Sequence, residues 1–321
     1  MTGRFTILGA GVVGLAVATE LAARGATADV FDPKTEPGGH QCSWWAGGML
    51  APFCEGETAE PVVVRLGREA ADWWQAAGVP VIRRGSLVVT PDRDARELDR
   101  FARRTTGHRW LDAEALAETE PALAGRFSRA LHFPDEAHLT PREALRALHG
   151  RLSVRRAPPN GGRMTGPTLD CRGLAARDAL PDLRGVRGEM AVLRCPAFTL
   201  TRPVRLLHPR CPLYVVPHGG GVFMLGATQI ESDHRGPATL RSVMELLGAA
   251  YALDPALAEA EVQELGADAR PAFPDNLPRI RQRGQTTYVN GLFRHGFLLA
   301  PALARRAADL VLDGRKSEVV E

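Results

Sequence analysis

Three glycines and one aspartate near the N-terminus carry the first chemical signal. Gly9, Gly11 and Gly14 stand in the run Leu8-Gly9-Ala10-Gly11-Val12-Val13-Gly14, and Asp32 closes the next apolar stretch. Glycine at the first position permits a tight turn. At the second it lets backbone approach a pyrophosphate, and at the third it lets a helix pack on the preceding strand. A helix beginning here turns its positive end toward the phosphates. Asp32, about 20 residues further on, is spaced to accept hydrogen bonds from adenosine ribose hydroxyls. The chemistry is dinucleotide binding. The elements that position it follow from periodicity: a buried strand over 5–8, a helix over 15–24 stopped by Gly25, and a second strand over 28–31.

At 321 residues the chain is long enough for two modest domains with real cores. Hydrophobic content of 45% and charged content of 24% are those of an ordinary soluble globular protein. The pI of about 8.7 does not signal nucleic-acid binding, because net charge is only +3 and the arginines are interspersed with acids. No opening segment reads as a signal peptide and no apolar run approaches bilayer length, so the expectation is a cytoplasmic protein with no membrane partner. Cys42, Cys54, Cys171, Cys195 and Cys211 are odd in number and lack C-x-x-C spacing, which fits reduced thiols. No four-ligand metal pattern is present.

Further along, residues 41–50 break both helical and strand periodicity. Trp44 and Trp45 beside Gly47 and Gly48 suit a backbone pressed against something flat, or an apolar loop folded into the core. Helices are expected over 64–77, 95–104, 112–120 (with Asp112 as N-cap) and 141–149, where Thr140 caps and Pro141 leads. Strands are expected over 79–82 and 87–90. Residues 155–167 hold no sustained strand pattern. A hairpin is expected over 213–216 and 222–225, then a helix over 240–251, a strand over 287–290, and a last helix ending near Leu312 with Gly314 as its C-cap. The order is a Rossmann-like start, a β-rich middle and a strand-turn-helix end. This points to an α/β chain, α+β overall, whose nucleotide domain is discontinuous and carries an inserted mixed or antiparallel β-sheet domain. The expected division is 1–60 with 128–185 and 265–321, against 61–127 with 186–264.

Three more segments, 183–190, 225–231 and 291–301, join the glycine fingerprint and Ala46-Gly47-Gly48-Met49-Leu50 in a family pattern. In this ordered set the chain resembles the D-amino-acid-oxidase-like FAD-dependent oxidoreductases, most closely the glycine oxidase branch that serves thiamine biosynthesis. That resemblance implies FAD in a cleft between a nucleotide domain and a sheet-built substrate domain. It implies Gly9, Gly11, Val12, Val13 and Gly14 at the pyrophosphate, and Asp32 with Pro33 at the ribose. It further implies Cys42, Ser43, Gly47, Gly48 and Met49 along the flavin, with Leu292, Phe293, Arg294, His295, Gly296, Phe297 and Leu298 around the isoalloxazine edge. The residues agree with the last assignment, since Gly291 and Gly296 permit close approach and the following helix aims its N-terminus there.

For the substrate, the resemblance implies a carboxylate held by Arg294, Arg270 and Tyr214, an arginine fork being the side chain that binds carboxylate bidentately. The implied reaction takes a hydride from glycine to flavin N5 and gives the imine, with O2 reduced to H2O2. The imine then feeds thiazole synthase or hydrolyses to glyoxylate and ammonia. Sarcosine or a small D-amino acid as substrate, a quinone as acceptor, or a non-catalytic flavin-binding subunit are the alternatives. A homo-oligomer is expected. Some relatives tether flavin through a C-terminal Cys; none follows Cys211 here, so FAD is expected to be non-covalent. Two departures stand out. The 155–172 segment is shorter than in most relatives, and the loop over 38–49 carries Trp44 and Trp45 where relatives have small residues.

Overall fold

The structure is a computed structural model that describes residues 3–156, 166–208 and 212–321. Cys211 and residues 157–165, half of the shortened 155–172 segment, therefore lie outside the described residues. The N-terminal unit forms as its pattern requires: β1 (Arg4–Leu8), α1 (Val12–Ala23) and β2 (Thr27–Asp32). β1 runs parallel to β2 on one side and to Thr168–Asp170 on the other. The full sheet has the order Arg279–Arg283, Thr286–Asn290, Thr168–Asp170, β1, β2, Val154–Arg156. Chain order thus reverses at β1, and ligands of open α/β sheets bind beyond the carboxyl ends of strands at such a switch point.

The long C-terminal helix Gly296–Asp313 packs against α1 and shares its core, where Leu15, Leu21, Leu299, Leu303 and Ala307 are all buried. Gly314 closes it at φ 69°, the left-handed conformation that favours glycine. Trp74 fixes the opposite end. Its indole N–H donates to the Phe297 carbonyl at 2.9 Å and its ring stacks on Phe297 at 5.5 Å.

A second, nine-stranded sheet is built around Arg184–Arg194, which pairs along its length with Glu261–Ala272 and on its other edge with Val222–Gly226. Leu213–Pro217 joins Val222–Gly226 in the expected hairpin. The sheet continues through Val204–Leu206, Ser86–Val89, Arg129–Phe133 and Arg109–Asp112. Its members thus include Arg129–Phe133 and Glu261–Ala272, all or part of which the sequence division grouped with the nucleotide segments.

Several expectations need correction. Residues 79–82 form no strand beyond one bridge, Ile82 to His138, since Pro80 lacks the N–H a ladder needs. The single helix expected over 64–77 is two, Pro61–Gly67 and Ala70–Ala76. Thr140 stands at an N-cap but its hydroxyl accepts no cap bond, whereas Asp112 accepts the Ala115 N–H as expected. Val154–Arg156 pairs with β2 although its sequence shows no strand alternation.

Candidate active site

A cavity of about 1160 Å³ opens at the C-terminal end of β1 and runs to the face of the nine-stranded sheet. It exceeds the roughly 300–1,000 Å³ of ordinary small-ligand pockets, as a dinucleotide together with a substrate requires. Gly9, Gly11, Val12, Val13, Asp32 and Pro33 line one end. Cys42, Ser43, Gly47, Gly48 and Met49 line the middle, and Leu292 to Leu298 line the wall opposite, with Tyr214 and Arg270 on the sheet. The exception is Gly14, which lies off the cavity: a Cβ there would overlap the Gly9 carbonyl oxygen, so its role is to seat α1 on the turn.

The residues present fit FAD. Gly9 has φ 94° and its missing Cβ would stand 2.6 Å from the Cys171 carbonyl oxygen. Gly11 differs: a Cβ there meets only the Ser43 hydroxyl, at 3.4 Å, so its open side faces the cavity before the positive end of α1. Ser43 also accepts the Val12 N–H at 3.0 Å, which ties the middle loop to that helix end. Asp32 is buried, and its carboxylate accepts the Ala10 and Lys34 N–H groups at 2.7 and 3.1 Å, with His40 Nε2 at 3.4 Å. Gln41 donates to the Ala10 carbonyl at 3.1 Å, while its own buried carbonyl oxygen, in the cavity wall, has no partner among the described residues. A buried acceptor of that kind is costly unless a ligand donor meets it. Sequence reading missed Gln41, for it belongs to no recognisable spacing.

The two substrate residues on the sheet lie flat against glycines. Arg270 rests over Gly188, where a Cβ would overlap the guanidinium, and donates Nη1 to the Thr228 carbonyl at 3.2 Å. Among the described residues it has no carboxylate partner. The Tyr214 ring is bounded by Gly47, whose missing Cβ would stand 2.7 Å from Cε2, and its hydroxyl lies over Gly226, its register partner. Enclosure pushes the Tyr214 phenol up, with Arg270 opposing, so it remains a protonated donor at neutral pH.

Arg294 is differently placed from the free carboxylate fork expected. Its Nη2 already forms an ion pair with Glu55 Oε2 at 2.9 Å and donates to the Thr58 hydroxyl at 2.7 Å, leaving Nη1 only a 3.5 Å approach to Gln229. Glu55 also accepts from His295 Nε2 at 2.8 Å and from Arg205. Burial pushes the Glu55 carboxyl up, but the charges of Arg294 and Arg205 outweigh it and hold it well below the usual carboxylate range. His295 is pushed down by burial, so the imidazole is neutral and donates its Nε2 proton to Glu55. Glu55 and Arg205 were invisible to sequence reading, because the strand and the short helix Pro52–Glu55 that bring them together are 150 residues apart.

Trp44 and Trp45 separate in role. Trp45 lines the cavity, lies against Gly266 and donates its indole N–H to the Gly39 carbonyl at 3.0 Å. Trp44 does not line the cavity; it lies under the guanidiniums of Arg142 and Arg146 at 4.6 and 5.1 Å. Trp45→Ala should therefore raise turnover of D-alanine relative to glycine by about tenfold, as relief of a misfit of order 1–3 kcal/mol allows. Trp44→Ala should lower thermal stability without that change. A peroxide assay on both variants checks this, and unaltered selectivity in Trp45→Ala would remove the indole from the substrate wall.

Behind the Gly47–Met49 loop, His138 is buried, and neither ring nitrogen is well hydrogen-bonded among the described residues. Burial lowers its pKa to about 4, the neighbouring His218 adding to the effect and the Pro217 carbonyl opposing it. The unfolded chain takes up this proton near pH 6.5 and the folded chain does not, so stability falls as pH drops from about 6.5 toward 4. That site alone should cost about 3 kcal/mol over the interval. Urea unfolding at pH 7 and pH 4.5 should show a smaller acid loss for His138→Leu than for the native chain; parallel losses would acquit His138.

The profile of the DAO family, FAD dependent oxidoreductases, matches residues 4–157 and 160–310, and the protein belongs to that family. It is an FAD-dependent oxidoreductase. Over 96% of its length it is 54% identical to a protein of Rhizobium etli named thiamine biosynthesis oxidoreductase ThiO, of which it also covers 96%. It is 28% identical to the glycine oxidase of Pseudomonas aeruginosa, covering 98% of this chain and 96% of that one. The crystal structure of glycine oxidase from Geobacillus kaustophilus has the same fold, with a TM-score of 0.81 at 22% identity over 99% of this chain and 96% of that one. Among the described residues, no helix is long and apolar enough to cross a membrane.

Proposed function

We propose that the protein oxidises glycine to its imine with O2 as acceptor and H2O2 as product, and that the imine is supplied to thiazole formation in thiamine biosynthesis. The observation that carries this is Arg270: a guanidinium in the cavity wall with no carboxylate partner among the described residues, laid over Gly188 beside the Tyr214 hydroxyl. A cation left in that state is prepared for an anion of the ligand, and a planar fork matches a carboxylate. The likeness to ThiO of Rhizobium etli supports the pathway.

FAD, when bound along the glycine-rich wall, supplies the hydride acceptor. The chain supplies orientation. Arg270 and Tyr214 hold the carboxylate, Arg294 adds a single N–H from Nη1, and Trp45 limits the volume beside the α-carbon. His295, the histidine in the flavin-side turn, has its Nε2 committed to Glu55, and its buried Nδ1 has no partner among the described residues. Hydride removal needs orientation more than proton transfer. Exposed Leu240, Met244 and Tyr251 along one helix support a homo-oligomer. The unpaired Cys42, Cys54, Cys171 and Cys195 fit a reducing cytoplasm.

The test is direct. The purified protein should be yellow, release intact FAD on acid precipitation, and give peroxide and glyoxylate with glycine. Preference for D-proline or D-phenylalanine over glycine would defeat the substrate assignment, and colour retained in the acid pellet would defeat non-covalent binding.

A further inference from the structure

We propose that Glu55 is an internal carboxylate filling a second anion subsite, between Arg294 and Arg205, and that it thereby restricts the cavity to substrates bearing one carboxylate. The inference rests on reading Arg270 and Tyr214 as the holders of the substrate carboxylate. Arg294 and Arg205 both line the cavity, as Glu55 does. They converge on one carboxylate from two separate elements, the turn before Gly296–Asp313 and the strand Val204–Leu206. Two guanidiniums and an imidazole N–H directed at one pair of oxygens is how proteins receive a ligand carboxylate. Here the pair of oxygens belongs to the chain. Both are used: Oε2 by Arg294 and His295 at 2.9 and 2.8 Å, and Oε1 by Arg205.

The consequence is electrostatic. Glu55 is 7% exposed, so its charge is poorly screened. A ligand with one carboxylate at Arg270 takes from this cluster only the Arg294 Nη1, which Glu55 leaves free. A ligand with a second carboxylate would bring it against Glu55, whose own charge already occupies the two guanidiniums that could receive it. Arg205 also feels the buried Glu136 carboxyl, which Ser86 and the Cys54 N–H hold from behind, so it offers no surplus charge. Removing the Glu55 charge frees two donors at once and leaves the site one unit more positive.

The experiment uses the FAD-loaded enzyme and Glu55→Gln, which keeps the shape and removes the charge. Acetate and malonate, neither of which can be oxidised as an amine, are titrated by the change in flavin absorbance, and glycine and iminodiacetate are compared as substrates by peroxide release. The malonate-to-acetate affinity ratio and the iminodiacetate-to-glycine ratio of kcat/KM should each rise about tenfold or more in Glu55→Gln. Ratios unchanged from the native enzyme overturn the proposal, including the case in which both ligands weaken together, as a purely positioning role predicts. If Glu55→Gln does not fold, the native enzyme still decides: malonate should bind it no more tightly than acetate, and tenfold tighter binding would mean that the subsite is open. Failure of the underlying reading looks different, for then Arg270→Met would leave acetate binding intact whatever Glu55→Gln does.

Discussion

Replacing Arg270 by lysine should lower kcat/KM for glycine by about a hundredfold, close to 3 kcal/mol of transition-state stabilisation, with FAD still bound. The guanidinium lies flat over Gly188, with Nη1 on the Thr228 carbonyl and the rest of the fork unpaired among the described residues. A carboxylate placed there can take two parallel N–H bonds, which fix the direction of its Cα as well as its distance. An ammonium at the end of a flexible stem supplies the charge but not the direction, so kcat should fall along with affinity. Arg294→Lys should do less, about tenfold, because its Nη2 is already held by Glu55 and Thr58 and only Nη1 faces the ligand. Steady-state kinetics on the two variants, with FAD content measured beside them, decides the order. Near-native turnover by Arg270→Lys would take the residue out of the substrate site.

A related expectation concerns the glycines beneath these side chains. Gly188→Ala and Gly226→Ala should raise KM for glycine, since a Cβ would overlap the Arg270 guanidinium in one case and crowd the Tyr214 hydroxyl in the other. Native KM in both variants, with the sheet intact by circular dichroism, would show that the two side chains do not depend on those gaps.

These residues also mark where sequence reading runs out. The N-terminal unit was legible because each signal is local: apolar runs, glycines at fixed offsets, and an acid at the end of β2. The hairpin over Leu213–Pro217 and Val222–Gly226 was legible for the same reason. The two longest strands, Arg184–Arg194 and Glu261–Ala272, were not, because their composition follows demands from outside the strand. Gly188 and Gly266 leave room for Arg270 and Trp45. Arg187 and Glu189 are buried as a pair, where Arg187 also serves the carbonyls of His234, Gly236 and Pro237 and so fixes the loop beside the cavity. Polar and glycine positions in a buried strand erase the alternation by which strands are recognised. The Glu55 cluster was hidden for a different reason, since no spacing within one segment encodes a contact that three distant segments make together.

The fingerprint glycines themselves should respond in opposite ways to one methyl or isopropyl group. Gly11→Val should leave the apo protein folded, with a thermal midpoint close to native, and weaken FAD by a hundredfold or more, about 3 kcal/mol. Gly11 has φ −71° and ψ −177°, a conformation any residue adopts, and an added Cβ meets only the Ser43 hydroxyl at 3.4 Å. The bulk would instead project into the space before α1, where the pyrophosphate must come close to backbone N–H groups. Gly14→Ala should do the reverse. Its Cβ would overlap the Gly9 carbonyl oxygen and stand 3.4 Å from the Cys171 Cβ, so α1 must move away from the turn before any ligand arrives. Because Leu15, Val17 and Leu21 on that helix belong to the core shared with Gly296–Asp313, the shift should destabilise the apo fold by about 1–3 kcal/mol, typical of overpacking. Thermal melts of apo protein, paired with FAD titration by fluorescence quenching, separate the two effects. A Gly11→Val protein that melts early, or one that still binds FAD tightly, would mean that the pyrophosphate does not lie over this turn.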